Sequence, residues 1–282
     1  MKGLVKLSAR PKLNVPNMLA VWPGIGNVAL IVANYLEKKL SMKELGEIEA
    51  SQFFDPIGVL VKNSVVEAPQ FPRNKFYYWK NKPGASDLIL FIGEDQPVSK
   101  GYELANCVLD IAERFQAKRI YTCAAAMTRI HHTETPGVIG VGTNPYVTKS
   151  LWNYNLIPAT NLQIAGLNGL LLGVAKEREM EGVCLLGEVP MYASRIQNPM
   201  AALAVLKVLS LMLEIDIDLD ELTQLAADAR DKMKQMAAQA MGEYIDYFTE
   251  PLWEREGEEE EYEDDEGEDG GENGGNGGNG EL

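Results

Sequence analysis

The chain has 282 residues, with 26 Lys+Arg against 41 Asp+Glu and a formal net charge of −15. Fourteen acids and a single base, Arg255, fall in residues 254–282, which gives that segment −13 and leaves −2 for residues 1–253. A near-neutral body with no Lys/Arg cluster in its sequence argues against nucleic acid as a direct partner, because binding phosphate needs a basic face.

A body of that length fits one α/β domain, and it buries about three quarters of its unfolded surface without covalent staples. Cys107, Cys123 and Cys184 are odd in number and lack metal-type spacing, so they read as buried, reduced thiols of a cytoplasmic protein. The first residues hold no apolar stretch long enough for a secretory signal. The longest apolar segment, Met200 to Leu213, carries Lys207 and falls short of the about 20 residues a membrane span needs.

Short apolar runs alternate with amphipathic stretches along the chain. Met18 to Trp22 predicts a strand, Pro23 to Asn27 a loop, and Val28 to Leu40 a helix. A second strand is expected near Leu45 to Ala50, with shorter β-rich pieces at Gly58 to Lys62 and Lys75 to Trp79. Leu88 to Ile92 is apolar throughout, as in a sheet covered on both faces. A helix from about Lys100 to Phe115 and a strand at Arg119 to Cys123 follow, then a short strand at Val138 to Val141. Leu170 to Met180 reads as a helix ending near Gly182, an expected C′ glycine, before a buried strand at Val183 to Leu186. Asn198 then Pro199 is the preferred N-cap and N1 order for a helix that runs to Leu213. The alternation predicts an α/β fold: a mostly parallel sheet covered by helices on both faces.

A long C-terminal helix is expected over residues 218–248, starting with Asp218 and Glu221, a weaker relative of the capping box. Leu222, Ala226, Ala229, Met233, Met236, Ala240 and Tyr244 recur at near-heptad spacing. That stripe suits burial against the body, or presentation to another subunit or partner. Residues 1–253 thus form one domain, and residues 254–282 an acidic, Gly/Asn-rich tail expected to be disordered. The tail reads as solubilising or as modulating association through charge.

Chemistry in open parallel sheets concentrates at the carboxyl edge of the strands. Gly24-Ile25-Gly26-Asn27-Val28-Ala29 fits the dinucleotide pattern G-x-G-x-x-G/A, with Glu49 following 25 residues after Gly24. A tight strand-to-helix turn needing glycine is the plainer explanation. Glu94 with Asp95, and Glu188, follow two strands that end alike, so paired carboxylates could do acid–base work or cap and pair locally. Adjacent His131 and His132 do not face one metal, and no Walker A or G-x-S-x-G motif is present. No catalytic residue, metal or cofactor is assigned.

Four ordered stretches resemble the proteasome assembly chaperone family in its bacterial and archaeal branch. They are Trp22 to Val28 with Glu44-Leu45 and Phe53-Phe54; Asp87 to Pro97; Ala165 to Gly173; and Cys184 to Pro190 with Asn198-Pro199 and Ala201-Ala202. The resemblance implies a fold similar to purine nucleoside phosphorylases and peptidyl-tRNA hydrolase, without an established active site. It implies homo-oligomers, often trimers, and binding to proteasome-type subunits or unfolded clients. Relatives that dock on the proteasome look to end in a hydrophobic residue, tyrosine, then any residue, whereas this chain ends Gly280-Glu281-Leu282.

The expected function is therefore a non-enzymatic, oligomeric protein-binding module. Its candidate loop is Trp22, Pro23, Gly24, Gly26, Asn27, Glu94, Asp95, Asn168 and Glu188. Its candidate partner helix carries Leu222, Ala226, Ala229, Met233, Met236 and Ala240. The alternative is an enzyme binding a nucleoside, nucleotide or phosphate at the sheet's carboxyl edge. No nucleic-acid or membrane partner is expected.

Overall fold

The computed structural model describes residues 4–56 and 58–249. The chain divides into two compact units, Met1–Lys234 and Gln235–Leu282. The first holds the sheet and its helices. Of the second, only the helical residues 235–249 are described. The expected disordered tail and the domain boundary at residue 253 lie outside the described residues.

Elements follow in chain order. β1 (Val5–Leu7) and β2 (Asn17–Val21) precede α1 (Val28–Lys39) and β3 (Lys43–Ile48). A small hairpin of β4 (Val61–Lys62) and β5 (Val65–Val66) leads to β6 (Asn74–Trp79), β7 (Leu88–Gly93) and α2 (Gly101–Arg114). Then come β8 (Ile120–Thr128), β9 (Val138–Gly142), α3 (Pro145–Leu151), β10 (Ile157–Pro158) and α4 (Leu167–Glu177). β11 (Gly182–Pro190), α5 (Pro199–Leu213) and α6 (Asp220–Thr249) complete the order.

One nine-stranded sheet runs β1-β3-β6-β7-β2-β8-β11-β9-β10. Its centre, β7-β2-β8-β11, is parallel, as the continuous apolar strands predicted. The flanks are mixed: β6, β3 and β1 add antiparallel on one side, and β9 adds antiparallel to β11 on the other. The sheet is thus mixed overall.

Period-2 alternation along the central strands divides the core. Leu19, Val21, Leu90, Cys123 and Leu185 face α1 and α5, where Val32, Leu36, Val205 and Leu209 meet them. Met18, Ala20, Trp22 and Phe91 face α2 and α4, against Leu104, Val108, Leu171 and Val174. Each Val, Leu, Met or Phe side chain among them contributes about 1.5–3 kcal/mol of transfer free energy. Burial pushes the Cys184 thiol up to about 12 and Cys107 to about 11, which suits packing rather than reactivity. Among the described residues, no helix is long and apolar enough to cross a membrane.

Several boundaries differ from the sequence reading. α4 starts earlier, at Leu167 behind Gly166 (φ +74°), and ends at Glu177. The left-handed residue after it is Glu179 (φ +58°), so Gly182 is not a C′ glycine but the first residue of β11. There a Cβ would meet Leu172 Cδ1 at 2.7 Å. Asp218 does initiate α6, its Oδ1 accepting from Asp220 N at 2.8 Å. Glu221 does not complete a capping box; it pairs with Lys38 Nζ (2.9 Å) and Lys39 Nζ (3.4 Å) at the end of α1.

Candidate functional site

The carboxyl ends of β7, β2, β8 and β11 open on one edge. Trp22 leaves β2 fully buried, with its ring 5.1 Å from Phe91, which in turn packs at a tilt of 54° against Phe76 at 4.7 Å. Gly93 lets this stack form: a Cβ there would lie 2.4 Å from the Trp22 indole. Asn168, in the first turn of α4, clamps the Trp22 backbone. Trp22 N donates to Asn168 Oδ1 (3.0 Å), and Asn168 Nδ2 donates to Trp22 O (3.1 Å). Gln96 holds the next residue, its Nε2 donating to Pro23 O (2.6 Å) while its Oε1 accepts from Leu167 N (2.7 Å). Two side-chain amides therefore tie the loop after β2, the loop after β7 and the start of α4 together. Gln96 lies within the Asp87 to Pro97 stretch, but an amide carries no distinctive spacing signal for such a bridge.

Gly26 is the glycine this turn requires. It is left-handed at φ +62°, and a Cβ would stand 3.0 Å from Asn198 Cβ. Its N–H donates to Ser194 O (3.3 Å) and its carbonyl accepts from Asn198 N (2.8 Å). Asn198 also caps α5 by accepting from Ala201 N at 2.9 Å. Gly24 is extended (φ −168°) and exposed, so its conformation does not demand glycine. Asn27 N is used by Gly24 O at 2.9 Å. The loop amides a phosphate would need are thus partly committed within the chain. Glu49 also departs from the dinucleotide layout. β3 stands three places from β2 in the sheet, and Glu49 is held by Lys6 Nζ at 2.6 Å.

The structure does not bring Glu94 and Glu188 together. Met18 stands opposite both Ile89 and Ile120, and Ile120 opposite Gly182. Counting from that common level, Glu94 lies five residues up β7 and Glu188 six up β11. An odd and an even step place them on opposite faces of the sheet. Their strands are also three spacings apart, about 14 Å. Glu94 Oε2 accepts from Arg73 N at 2.8 Å, and Glu188 Oε2 from Gly137 N at 2.9 Å. Each carboxylate is a local cap. Asp95 accepts from Gln96 N (2.7 Å) and lines a groove instead.

That groove, about 610 Å³, has Phe53, Phe54, Phe71 and Val98 on its walls and Asp55, Asp95 and Gln96 among its polar groups. Val59 and Leu60 border it and lead into the β4–β5 hairpin. Val59, Leu60, Val61, Val65 and Val66 are 50 to 65 % exposed. Five exposed apolar side chains on and beside one short hairpin are unusual, with Val61 and Val66 paired on one face and Val65 on the other, and a two-stranded hairpin is only marginally stable by itself. The β-rich piece expected at Gly58 to Lys62 covers β4, whereas β5 (Val65–Val66) and the hairpin's separation from the main sheet were not expected.

The α6 stripe divides. Leu222 is fully buried beneath α1 and α5, while Ala226 and Met233 pack on Ala193, Met200 and Ile196. Ala229 is half-buried and Met236 exposed; the Ala240 side chain lies outside the described residues. The two histidines form a separate cluster. Their rings are 4.0 Å apart, and His132 Nδ1 and backbone N both meet Tyr192 Oη at 2.9 Å. Burial first, then His131 and Lys234, hold His132 below its ordinary value. Among the described residues, no three His, Cys, Asp or Glu side chains gather as a metal site.

Comparison with known proteins places this arrangement. PbaB of Pyrococcus furiosus, described as an archaeal proteasome activator, is similar over 83% of this chain and 98% of its own, with 28% identity and a TM-score of 0.68. P. furiosus PbaA, described as an archaeal homolog of proteasome-assembly chaperone, shares the fold at a TM-score of 0.63 and 24% identity, over 85% of this chain and 99% of its own. An uncharacterized protein of Methanocaldococcus jannaschii is 29% identical over 209 residues, 72% of this chain and 76% of that protein. The PAC2 family model matches residues 18–237, from β2 into α6 and including the whole tied edge. The chain belongs to the PAC2 family.

Proposed function

We propose that this chain is a non-enzymatic, homo-oligomeric protein-binding module of the cytoplasm that works with proteasome-type subunits or their unfolded clients. The observation that carries this reading is the exposed apolar ridge of Val59, Leu60, Val61, Val65 and Val66 beside the Phe71–Val98 groove. Such a surface gains free energy by burial against a second copy of the chain, at about 25 cal/mol per Å² of apolar area, and the oligomer so formed is the species that engages subunits or clients. Similarity to a protein described as a proteasome activator supports the choice of partner. The committed amides and separated carboxylates at the sheet edge support a structural role for Trp22, Pro23, Gly24, Gly26, Asn27, Asn168, Glu94 and Glu188. That edge holds the ridge-bearing loops in place.

Native mass spectrometry of the full chain with purified archaeal proteasome subunits tests the reading. The expected result is a defined complex that Val61→Lys/Val66→Glu weakens. A chain that stays unbound to folded subunits and to unfolded protein alike overturns it.

A further inference from the structure

The flank of the sheet farthest from the hairpin carries a second apolar surface. A groove of about 390 Å³ lies where β9, β10 and the end of α3 meet. Trp152, Leu156, Ile157 and Pro158 line it beside Gly140 and Gly142 of β9. A Cβ at Gly140 would stand 2.5 Å from Leu156 Cδ1, so the glycine lets Leu156 close against the strand. Charge is nearly missing here. From Thr135 to Gly166 the one charged residue is Lys149, in a chain that is 24% charged. Burial does not explain this, because Trp152, Asn153, Asn155 and every residue from Ile157 to Gln163 are exposed. Tyr146 and Trp152, in the same stretch, are 73% and 74% exposed. Exposed surface that lacks charge and offers aromatic side chains has the composition of an interface core, and Trp is a frequent energetic anchor there.

The hairpin ridge has the same character. From Gly58 to Val66 the one charge is Lys62, whose Nζ lies 3.9 Å from Glu67. The hairpin connects β3 to β6, and Phe53 and Phe54 on its leading segment are held in the core. From β6 to β9 the sheet counts five strand spacings, about 24 Å. A chain's own ridge therefore does not reach its own groove. A contact of ridge on ridge would leave Trp152 and Ile157 in water, whereas a contact of ridge on groove covers both surfaces of each copy. We infer that the Val61/Val66 face of one copy docks in the Trp152–Ile157 groove of a second copy. Such a contact is head-to-tail, and a discrete oligomer built from it is a closed ring. The inference rests on the reading above that the ridge meets a second copy, and deepens it by naming the surface it meets.

Two full-length variants and their mixture, followed by sedimentation, test it. Trp152→Glu alters the groove alone, and Val61→Lys/Val66→Glu the ridge alone. Each by itself is expected to form a smaller species than the native chain, with self-association weakened about thirtyfold or more for Trp152→Glu. An equimolar mixture should recover a one-to-one pair, because the first variant keeps its ridge and the second its groove. A misfolded variant would not be rescued in this way. Two small species that stay apart on mixing overturn the inference. Native mass for Trp152→Glu also overturns it, and leaves the ridge reading intact. Native mass for Val61→Lys/Val66→Glu defeats the ridge reading itself, and this inference with it.

Discussion

Asn168 is the residue on which the tied edge depends most. Its amide satisfies both backbone groups of buried Trp22. Asn168→Ala strands a buried donor and acceptor, and is expected to cost about 2–5 kcal/mol. Urea denaturation should show a lower midpoint with an unchanged slope. His132 gives a pH signature. Its folded value is lowered from 6.5, so the fold prefers the neutral ring. Above pH 6.5 both folded and unfolded states are neutral, and the contribution to pH dependence is nil. As pH falls, the unfolded state binds the proton first, and stability is lost between 6.5 and the lower folded value. Urea midpoints at pH 7.5 and 5.5 should therefore fall further for the native chain than for His132→Gln. Equal falls would remove His132 from the account. The sequence showed Trp22, Asn168 and Gly26 as loop residues worth watching. It could not show Gln96 bridging Pro23 and Leu167, because that pairing spans 71 residues and is made only by the fold.

At the scale of elements, local sequence signals and structure agree where caps and apolar runs coincide. Asn198-Pro199 marked α5, and Asn198 does accept from Ala201 N. Asn198→Ala is expected to cost about 1 kcal/mol from the lost cap, with more if Gly26 shifts. Thermal melting checks this, and an unchanged Tm would show that the cap is redundant. The same Asn-Pro order at Asn144-Pro145 opens α3, where Asn144 Oδ1 accepts from Val147 N at 2.8 Å. β8 extends through Ala124, Ala125 and Ala126, which have weak strand preference and are held by pairing with β11. The antiparallel addition of β9 has no local signal, because strand direction is set by the connection and not by residue type. Glu94 and Glu188 follow similar motifs, but strand order and register send them to opposite faces.

At the scale of the whole molecule, the charge of −15 divides unevenly along the sequence. Segment 254–282 carries −13, while the body bears an apolar ridge near its carboxyl edge. Membership of the PAC2 family follows from the match over residues 18–237, and the ordered motifs that carried the resemblance all lie within it. The central claim is that the exposed hairpin is a protein-contact surface. In Val61→Lys/Val66→Glu the two residues face each other across the hairpin, so the new charges pair and preserve the turn while the ridge loses apolar area. The most direct measurement is the solution mass of native chain and variant at one concentration, by sedimentation or light scattering. The account predicts a discrete oligomer for the native chain and a smaller species for the variant, with unchanged helix and strand content by circular dichroism. A monomeric native chain, or an oligomer indifferent to the substitution, would contradict it.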